Sequence, residues 1–120
     1  MSRQYLEHGS QVAVFQWAKL QEHKYPELKM LFAIPNGFQG NSARGKWMRD
    51  EGLKRGVPDM MLAVPIHFFC GLLIEMKSPK GKLTLKQSEW QFNLRKYGYK
   101  VHVCYSQDEA INTIKEYLGL

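Results

Sequence analysis

Residues 56–77 read Gly-Val-Pro-Asp-Met-Met-Leu-Ala-Val-Pro-Ile-His-Phe-Phe-Cys-Gly-Leu-Leu-Ile-Glu-Met-Lys, and they contain the pattern of a central β-hairpin. Its two apolar runs, residues 60–64 and 70–76, have the composition of strands in a buried sheet. Residues 65–69 between them begin with proline and have the length of a hairpin loop. The stretch therefore predicts two neighbouring antiparallel strands.

The predicted hairpin brings an aspartate and a glutamate together. Asp59 and Glu75 are equally distant from residue 67, the centre of the loop, so a symmetric hairpin makes them cross-strand neighbours. Their Cβ atoms would then lie ~5 Å apart. Because side chains alternate along a strand, Lys77 points to the same face as Glu75, while Met76 points to the apolar side.

The N-terminal half of the chain predicts a helix, a strand and a second helix. Residues 5–24 have helical composition, and the apolar run at 28–34 indicates a strand that is closed by the turn residues 35–37. Residues 41–51 are polar and basic, and Ser42 is placed to cap a short helix there.

The C-terminal end predicts a helix over residues 84–97, opened by a threonine–glutamine capping box, and an alternating strand over 99–105. A second capping box, Ser106 with Glu109, precedes a last helix. The order α-β-α-β-β-α-β-α is that of an α/β protein whose mixed four-stranded sheet carries helices on both faces. The 120 residues suit one domain spanning 1–120.

Composition excludes several classes of protein. With 44% hydrophobic residues the chain is too apolar to be disordered, and its longest apolar stretch is shorter than the ~20 residues of a membrane span. No secretory signal is visible, and Cys70 and Cys104 are expected as buried, reduced thiols of a cytoplasmic protein. The 17 basic and 11 acidic residues give a net charge of +6, which favours a polyanionic partner such as nucleic acid.

Two carboxylates and a lysine on one small patch suggest a metal site. Asp59 and Glu75 repel each other unless a cation lies between them, and such oxygen ligands suit Mg²⁺ or Mn²⁺. The backbone carbonyl of Met76 is a possible third ligand, and Lys77 could orient a metal-bound water or stabilise a transition state. The alternative is an ordinary ion pair of Lys77 on a solvated face.

The surroundings of this patch favour the metal site. A charged pair within an apolar strand is costly to bury, and the flanking basic residues suit a phosphate backbone. The candidate phosphate contacts are Arg44, Lys46, Arg49, Lys54, Arg55, Lys80, Lys82 and Lys86. Trp47, on the same basic helix, could stack on nucleic acid or pack, and packing is the expectation.

Several short motifs follow one another along the chain. They are Glu7 with Gln11, Ile34-Pro35-Asn36-Gly37, Gly56-Val57-Pro58-Asp59, Glu75-Met76-Lys77 and Gly81-x-Leu83-Thr84-x-x-Gln87. Over residues 5–118 the set resembles the VRR-NUC (virus-type replication-repair nuclease) branch of the PD-(D/E)XK nucleases, in its stand-alone phage and bacterial form. The resemblance implies a single nuclease domain with a restriction-endonuclease-like core.

The resemblance also implies roles for individual residues. The metal-binding positions are Asp59, Glu75, Glu7 and the backbone carbonyl of Met76. The catalytic positions are Asp59, Glu75, Lys77, Glu7 and Gln87. Asn36 is a candidate DNA contact or only a turn residue. Glu7 and Gln87 also have plain structural readings, the first as half of a solvated pair with Gln11 and the second as a helix cap.

The resemblance implies a Mg²⁺- or Mn²⁺-dependent endonuclease that hydrolyses phosphodiester bonds of branched DNA, as a Holliday junction resolvase does. Two paired cuts of a symmetric junction predict a homodimer, working in the cytoplasm of a bacterium or phage-infected cell with no membrane partner. The alternatives are a non-specific or flap-type nuclease acting as a monomer and an inactive DNA-binding module of recombination or repair. An RNA-binding domain ranks low, because no strand carries paired exposed aromatic residues.

Overall fold

The computed structural model describes residues 2–35 and 42–120, and its elements follow the predicted order. The helices are α1 (Arg3–Gln21), α2 (Ala43–Asp50), α3 (Leu85–Lys96) and α4 (Gln107–Leu118), with a short 3₁₀ helix at Pro26–Met30. The strands are β1 (Leu31–Ala33), β2 (Met60–Leu62), β3 (Leu72–Met76) and β4 (Lys100–Cys104). No helix in the described ranges is long and apolar enough to cross a membrane.

The four strands form one mixed sheet in the order β1-β2-β3-β4. The pairs β1–β2 and β2–β3 are antiparallel, while β3 and β4 are parallel across the α3 crossover, as the sequence predicts. Met60 pairs with Ile74, so the register places Asp59 across from Glu75 one step further along. The predicted hairpin register is therefore confirmed.

Both faces of β3 are covered, which explains its nearly continuous apolar sequence. Its residues Leu72, Ile74 and Met76 belong to a buried core that includes Val14 of α1 and Ile114 of α4. Between them Leu73 and Glu75 point to the other face of the sheet and are buried as well. Glu75 is thus a carboxylate in an otherwise apolar strand.

The predicted strand at 28–34 is partly wrong. Residues Pro26–Met30 form the 3₁₀ helix, in which Leu28 is buried, and only Leu31–Ala33 pairs with β2. Proline favours the first position of such a helix, where its missing N–H is not needed and its fixed φ fits. The first part of the predicted strand is therefore helical, and only its second part is extended.

The helix caps largely follow the sequence. Ser42 accepts a hydrogen bond from the N–H of Gly45, and the capping box at the start of α3 is complete. The box before α4 is only half formed, because the Glu109 carboxylate accepts from the N–H of Tyr105 instead of the Ser106 N–H. Both cysteines are free thiols, and Cys104 is buried as expected, but Cys70 is exposed.

Candidate active site

An open cleft of about 810 Å³ lies at the carboxyl end of β3. Its walls come from α1, the end of β1, the segment before β2 and the first turn of α3. Eight of the predicted site residues line it: Glu7, Arg55, Asp59, Glu75, Met76, Lys77, Lys86 and Gln87. Five separate segments of the chain therefore converge on one opening.

Asp59 is held at the point where the β2–β3 ladder ends. Its N–H donates to the carbonyl of Ile74 at 3.0 Å. Its Oδ2 accepts from the N–H of Met76 at 2.7 Å, so the carboxylate takes the place of a backbone acceptor. One backbone bond and one side-chain bond to β3 therefore hold Asp59 in place beside Glu75.

Glu75 is a carboxylate with almost no access to water. The residue is 2% exposed, and its Oε1 has no hydrogen-bond partner among the residues that the structure describes. Burial raises the pKa of Glu75 to about 10, helped by the hydrogen bond with Asp59 and the charge of Asp59, and opposed by Lys77. A nearby cation would be needed to keep both carboxylates ionised at neutral pH.

Lys77 and Glu7 reach the cleft from different elements. The N–H of Lys77 donates to the carbonyl of Cys104 at 2.9 Å, which continues the pairing of β3 with β4. Strand alternation then returns the Lys77 side chain to the face of Glu75. The N–H of Ser78 donates to Oε1 of Glu7 at 3.3 Å, so this bond ties α1 to the end of β3.

Gln87 caps the N-terminus of α3 and also lines the cleft. Its Oε1 accepts from the N–H of Thr84 at 2.9 Å, and its own N–H donates to the Thr84 hydroxyl at 3.2 Å. Both the capping role and the placement in the cleft are therefore present in one residue.

Gly56 brings the loop before β2 against the start of α3. It adopts a φ of +89°, and a Cβ built there would lie 2.8 Å from the carbonyl carbon of Lys86 and 3.0 Å from the nitrogen of Gln87. Only glycine allows this approach with this backbone conformation. The close contact positions the segment that leads into Asp59.

Replacing Gly56 by alanine is expected to lower the free energy of unfolding by about 1–3 kcal/mol, from backbone strain and the clash with α3. Urea unfolding measures the loss. Gly52→Ala is the matched control, because Gly52 also has a positive φ, +110°, but nothing within 4 Å of its Cβ position. Equal losses in the two variants would show that the contact with α3 contributes nothing.

The basic residues divide into two groups. Arg55 and Lys86 line the cleft, whereas the remaining candidates lie outside its lining: Arg44, Lys46, Arg49, Lys54, Lys80 and Lys82. Lys46 pairs with Asp50 at 2.8 Å on the exposed side of α2. Asn36 lies outside the described residues.

Sequence reasoning missed part of the α1 wall. Gln4, His8 and Gln11 line the cleft beside Glu7, and none of them is among the predicted site residues. Their spacing of three to four residues puts them on one helix face, a signal that is present in the sequence. What the sequence does not contain is the placement of that face over the end of β3.

Trp47 corrects a second expectation. Its residue surface is 70% exposed, so the predicted packing is wrong. The indole Nε1–H donates to the carboxylate of Glu51, one turn later on α2. The only residue of α2 that is buried, among those described, is Gly45.

The residues at the end of β3 fit a hard divalent cation by the chemistry of their donors. Within residues 2–35 and 42–120, no group of three histidine, cysteine, aspartate or glutamate side chains is gathered closely enough to hold a metal alone. Mg²⁺ needs no such group, since it takes one or two carboxylates and retains waters. The orphaned Oε1 of Glu75, next to Asp59, supplies the kind of donor that such an ion requires.

Known proteins resemble this chain over most of its length. The VRR-NUC domain model matches residues 3–108. A solved structure described as a VRR_NUC domain protein is 30% identical, with a TM-score of 0.77, over 94% of this chain and 88% of that one. No curated protein matches the chain. The chain therefore belongs to the VRR-NUC family, whose domain is a nuclease of the PD-(D/E)XK type.

Proposed function

We propose that this protein is a Mg²⁺- or Mn²⁺-dependent endonuclease that cuts branched DNA. The family is typically dependent on divalent metals, and its nuclease domain implies DNA as the substrate. The observation that carries the proposal is the buried Glu75 carboxylate beside Asp59, at the floor of a cleft that also contains Lys77. The arrangement has a carboxylate pair for a cation and a positive group for the reacting phosphate.

In this proposal Asp59, Glu75 and the Met76 carbonyl would hold the metal ion, with Glu7 beside them. When bound, the ion makes a water more acidic and offsets charge that builds on the phosphorus. Lys77 hydrogen-bonds the attacking water or a phosphate oxygen and thereby orients the attack. Hydrolysis would form one P–O bond to the water oxygen, which loses a proton, and break the P–O bond to the leaving strand, whose oxygen takes up a proton.

The residues around the cleft would hold the substrate. Arg55 and Lys86 line the cleft and would bind phosphate groups next to the reacting one, while the exposed Lys54, Lys80 and Lys82 extend the positive surface. The side-chain oxygen of Gln87 accepts a hydrogen bond in the helix cap, so its side-chain NH₂ would contact the substrate. Asn36 and the basic residues of α2 complete the proposed DNA-binding set.

The preference for branched DNA and the homodimer are the finer parts of the proposal. A four-way junction is symmetric and requires two cuts, which a symmetric dimer would deliver together. A second candidate is a monomeric nuclease acting on flaps or without structural preference. It is favoured by the cleft itself, because one chain provides both carboxylates and the lysine. In either case we expect a cytoplasmic protein.

Matched four-way junction, flap, duplex and single-stranded DNA, offered with Mg²⁺, Mn²⁺ or EDTA, test the proposal. The junction is expected to be cut faster than the duplex in either metal, and no substrate is expected to be cut in EDTA. Faster cutting of the flap, together with a sedimentation mass of one chain, would support the monomeric alternative. Cleavage that persists in EDTA would contradict the metal site.

A further inference from the structure

Trp47 lies on the surface of α2. It is 70% exposed, although burying an indole would remove much apolar surface from water. The other two tryptophans, Trp17 and Trp90, are half-buried. Large exposed aromatic side chains are characteristic of binding surfaces, where a partner covers the ring.

The indole is held in position before any partner arrives. The hydrogen bond from Nε1 of Trp47 to Glu51 fixes the ring on the helix surface, which lowers the entropy lost when a partner stacks on it. The Glu51 carboxylate also repels a phosphate from this edge of the ring. An uncharged planar group such as a nucleobase meets no such repulsion.

The charge around Trp47 favours a nucleic acid over a protein partner. Residues 43–55 contain five basic and two acidic side chains. The Lys46–Asp50 pair is exposed at both ends, so it contributes little and can give way to a phosphate contact. A strand of DNA could therefore place its backbone along the basic residues while one base covers the indole.

The position of α2 relative to the cleft limits where this base can lie. Trp47 is eight residues before Arg55, which lines the cleft. Three residues in α2 and five in extended chain span at most ~21 Å. At about 3.4 Å per nucleotide along one strand, the base would lie within about six nucleotides of a phosphate bound at Arg55.

We propose that Trp47 is a stacking platform for an unpaired base of the DNA substrate, close to the point where the strands separate. The proposal rests on the proposed nuclease function and adds a reason for selecting branched over continuous DNA. Duplex DNA keeps its bases stacked inside and cannot use the indole, whereas a flap, gap or opened junction can. Trp47 would then contribute to the choice of DNA structure, whereas the carboxylates of Asp59 and Glu75 would take part in the hydrolysis.

Binding measured by fluorescence anisotropy in EDTA tests the stacking platform. The two probes are a continuous duplex and the same duplex with an unpaired thymine tract. Trp47→Ala is expected to weaken binding of the tract by about tenfold, within the range known for one stacked base, and to leave duplex binding unchanged. Trp47→Phe retains a ring and should recover part of the loss.

The control is Phe68→Ala, because Phe68 is 97% exposed but lies in the hairpin loop, at the opposite end of β3 from the cleft. It should bind both probes as the wild type does. An equal effect of Trp47→Ala on both probes, or no effect on either, would overturn the stacking platform alone. So would a lower sedimentation mass of the Trp47→Ala protein than of the wild type, because the indole would then belong to a contact between subunits. Failure of the wild type to bind any DNA would overturn the nuclease proposal and the platform with it.

Discussion

Replacing Lys77 by alanine is expected to reduce the cleavage rate by about 10²–10⁴-fold, the usual contribution of a positioned acid–base or charge-stabilising group. The effect should be on the reaction and not on the fold, because the backbone N–H of Lys77 makes the sheet contact with Cys104 and is retained. Single-turnover cleavage under saturating protein separates this loss from weaker DNA binding.

Two further variants sharpen this test. Asp59→Asn keeps an oxygen to accept from the N–H of Met76 and removes the charge, so it should fold normally and lose cleavage to a similar extent. Lys115→Ala removes an exposed lysine of α4 that is neither in the cleft lining nor among the proposed DNA contacts, and should leave the single-turnover rate within about twofold. Normal cleavage by Lys77→Ala would place the chemistry elsewhere.

Replacing Glu75 by glutamine is expected to abolish cleavage and, in metal-free protein, to stabilise the fold. The buried Oε1 is unpartnered among the described residues, and Asp59 is close by, so ionisation of Glu75 is unfavourable without a cation. A neutral amide of the same shape can donate to Asp59. A gain of 1 kcal/mol corresponds to roughly 4 °C in the thermal midpoint for a chain of this size.

The stability difference between Glu75→Gln and the wild type should depend on pH. The pKa of Glu75 is raised from 4.5 to about 10 in the folded protein, so its contribution to stability is full below pH 4.5 and is lost as pH rises towards 10. The advantage of the glutamine variant in metal-free protein should therefore grow across that window. Thermal unfolding in EDTA at several pH values measures it.

Metal binding should reverse the order of stability. Added Mg²⁺ or Mn²⁺ is expected to raise the midpoint of the wild type, because the ion binds only the folded site, and to do much less for Glu75→Gln. Glu89→Gln, which changes an exposed carboxylate on α3, should respond as the wild type does. A glutamine variant that is less stable than wild type at every pH would contradict the idea that ionisation of the buried Glu75 destabilises the metal-free fold.

The hairpin was predictable because its information is local. Two apolar runs, a proline-containing loop of fixed length and strand alternation set the register, and the register alone places Asp59 opposite Glu75. Lys77 follows from the same alternation. The centre of the candidate site therefore needs no tertiary information beyond one pair of strands.

The sequence predictions are wrong where the apolar pattern is ambiguous or where tertiary packing determines the outcome. A short apolar run such as 28–34 has no period that separates strand from helix, and the structure divides it between a 3₁₀ helix and β1. Likewise, the amount of basic charge does not say which side chains face a cleft. Only Arg55 and Lys86 of the eight basic candidates line it, because the placement of α2 and of the connecting loops decides the rest.

The bond between Glu7 and Ser78 has a consequence for the order of folding. It joins residues 71 positions apart, and the neighbouring backbone contact of Lys77 waits for β4, still later in the chain. Contacts of such separation form late, after local helices and the hairpin. During synthesis Glu7 leaves the ribosome long before its partner, so an unfinished chain carries the individual groups but not the assembled cleft. A protein that cuts DNA would thereby be harmless until its own folding is complete.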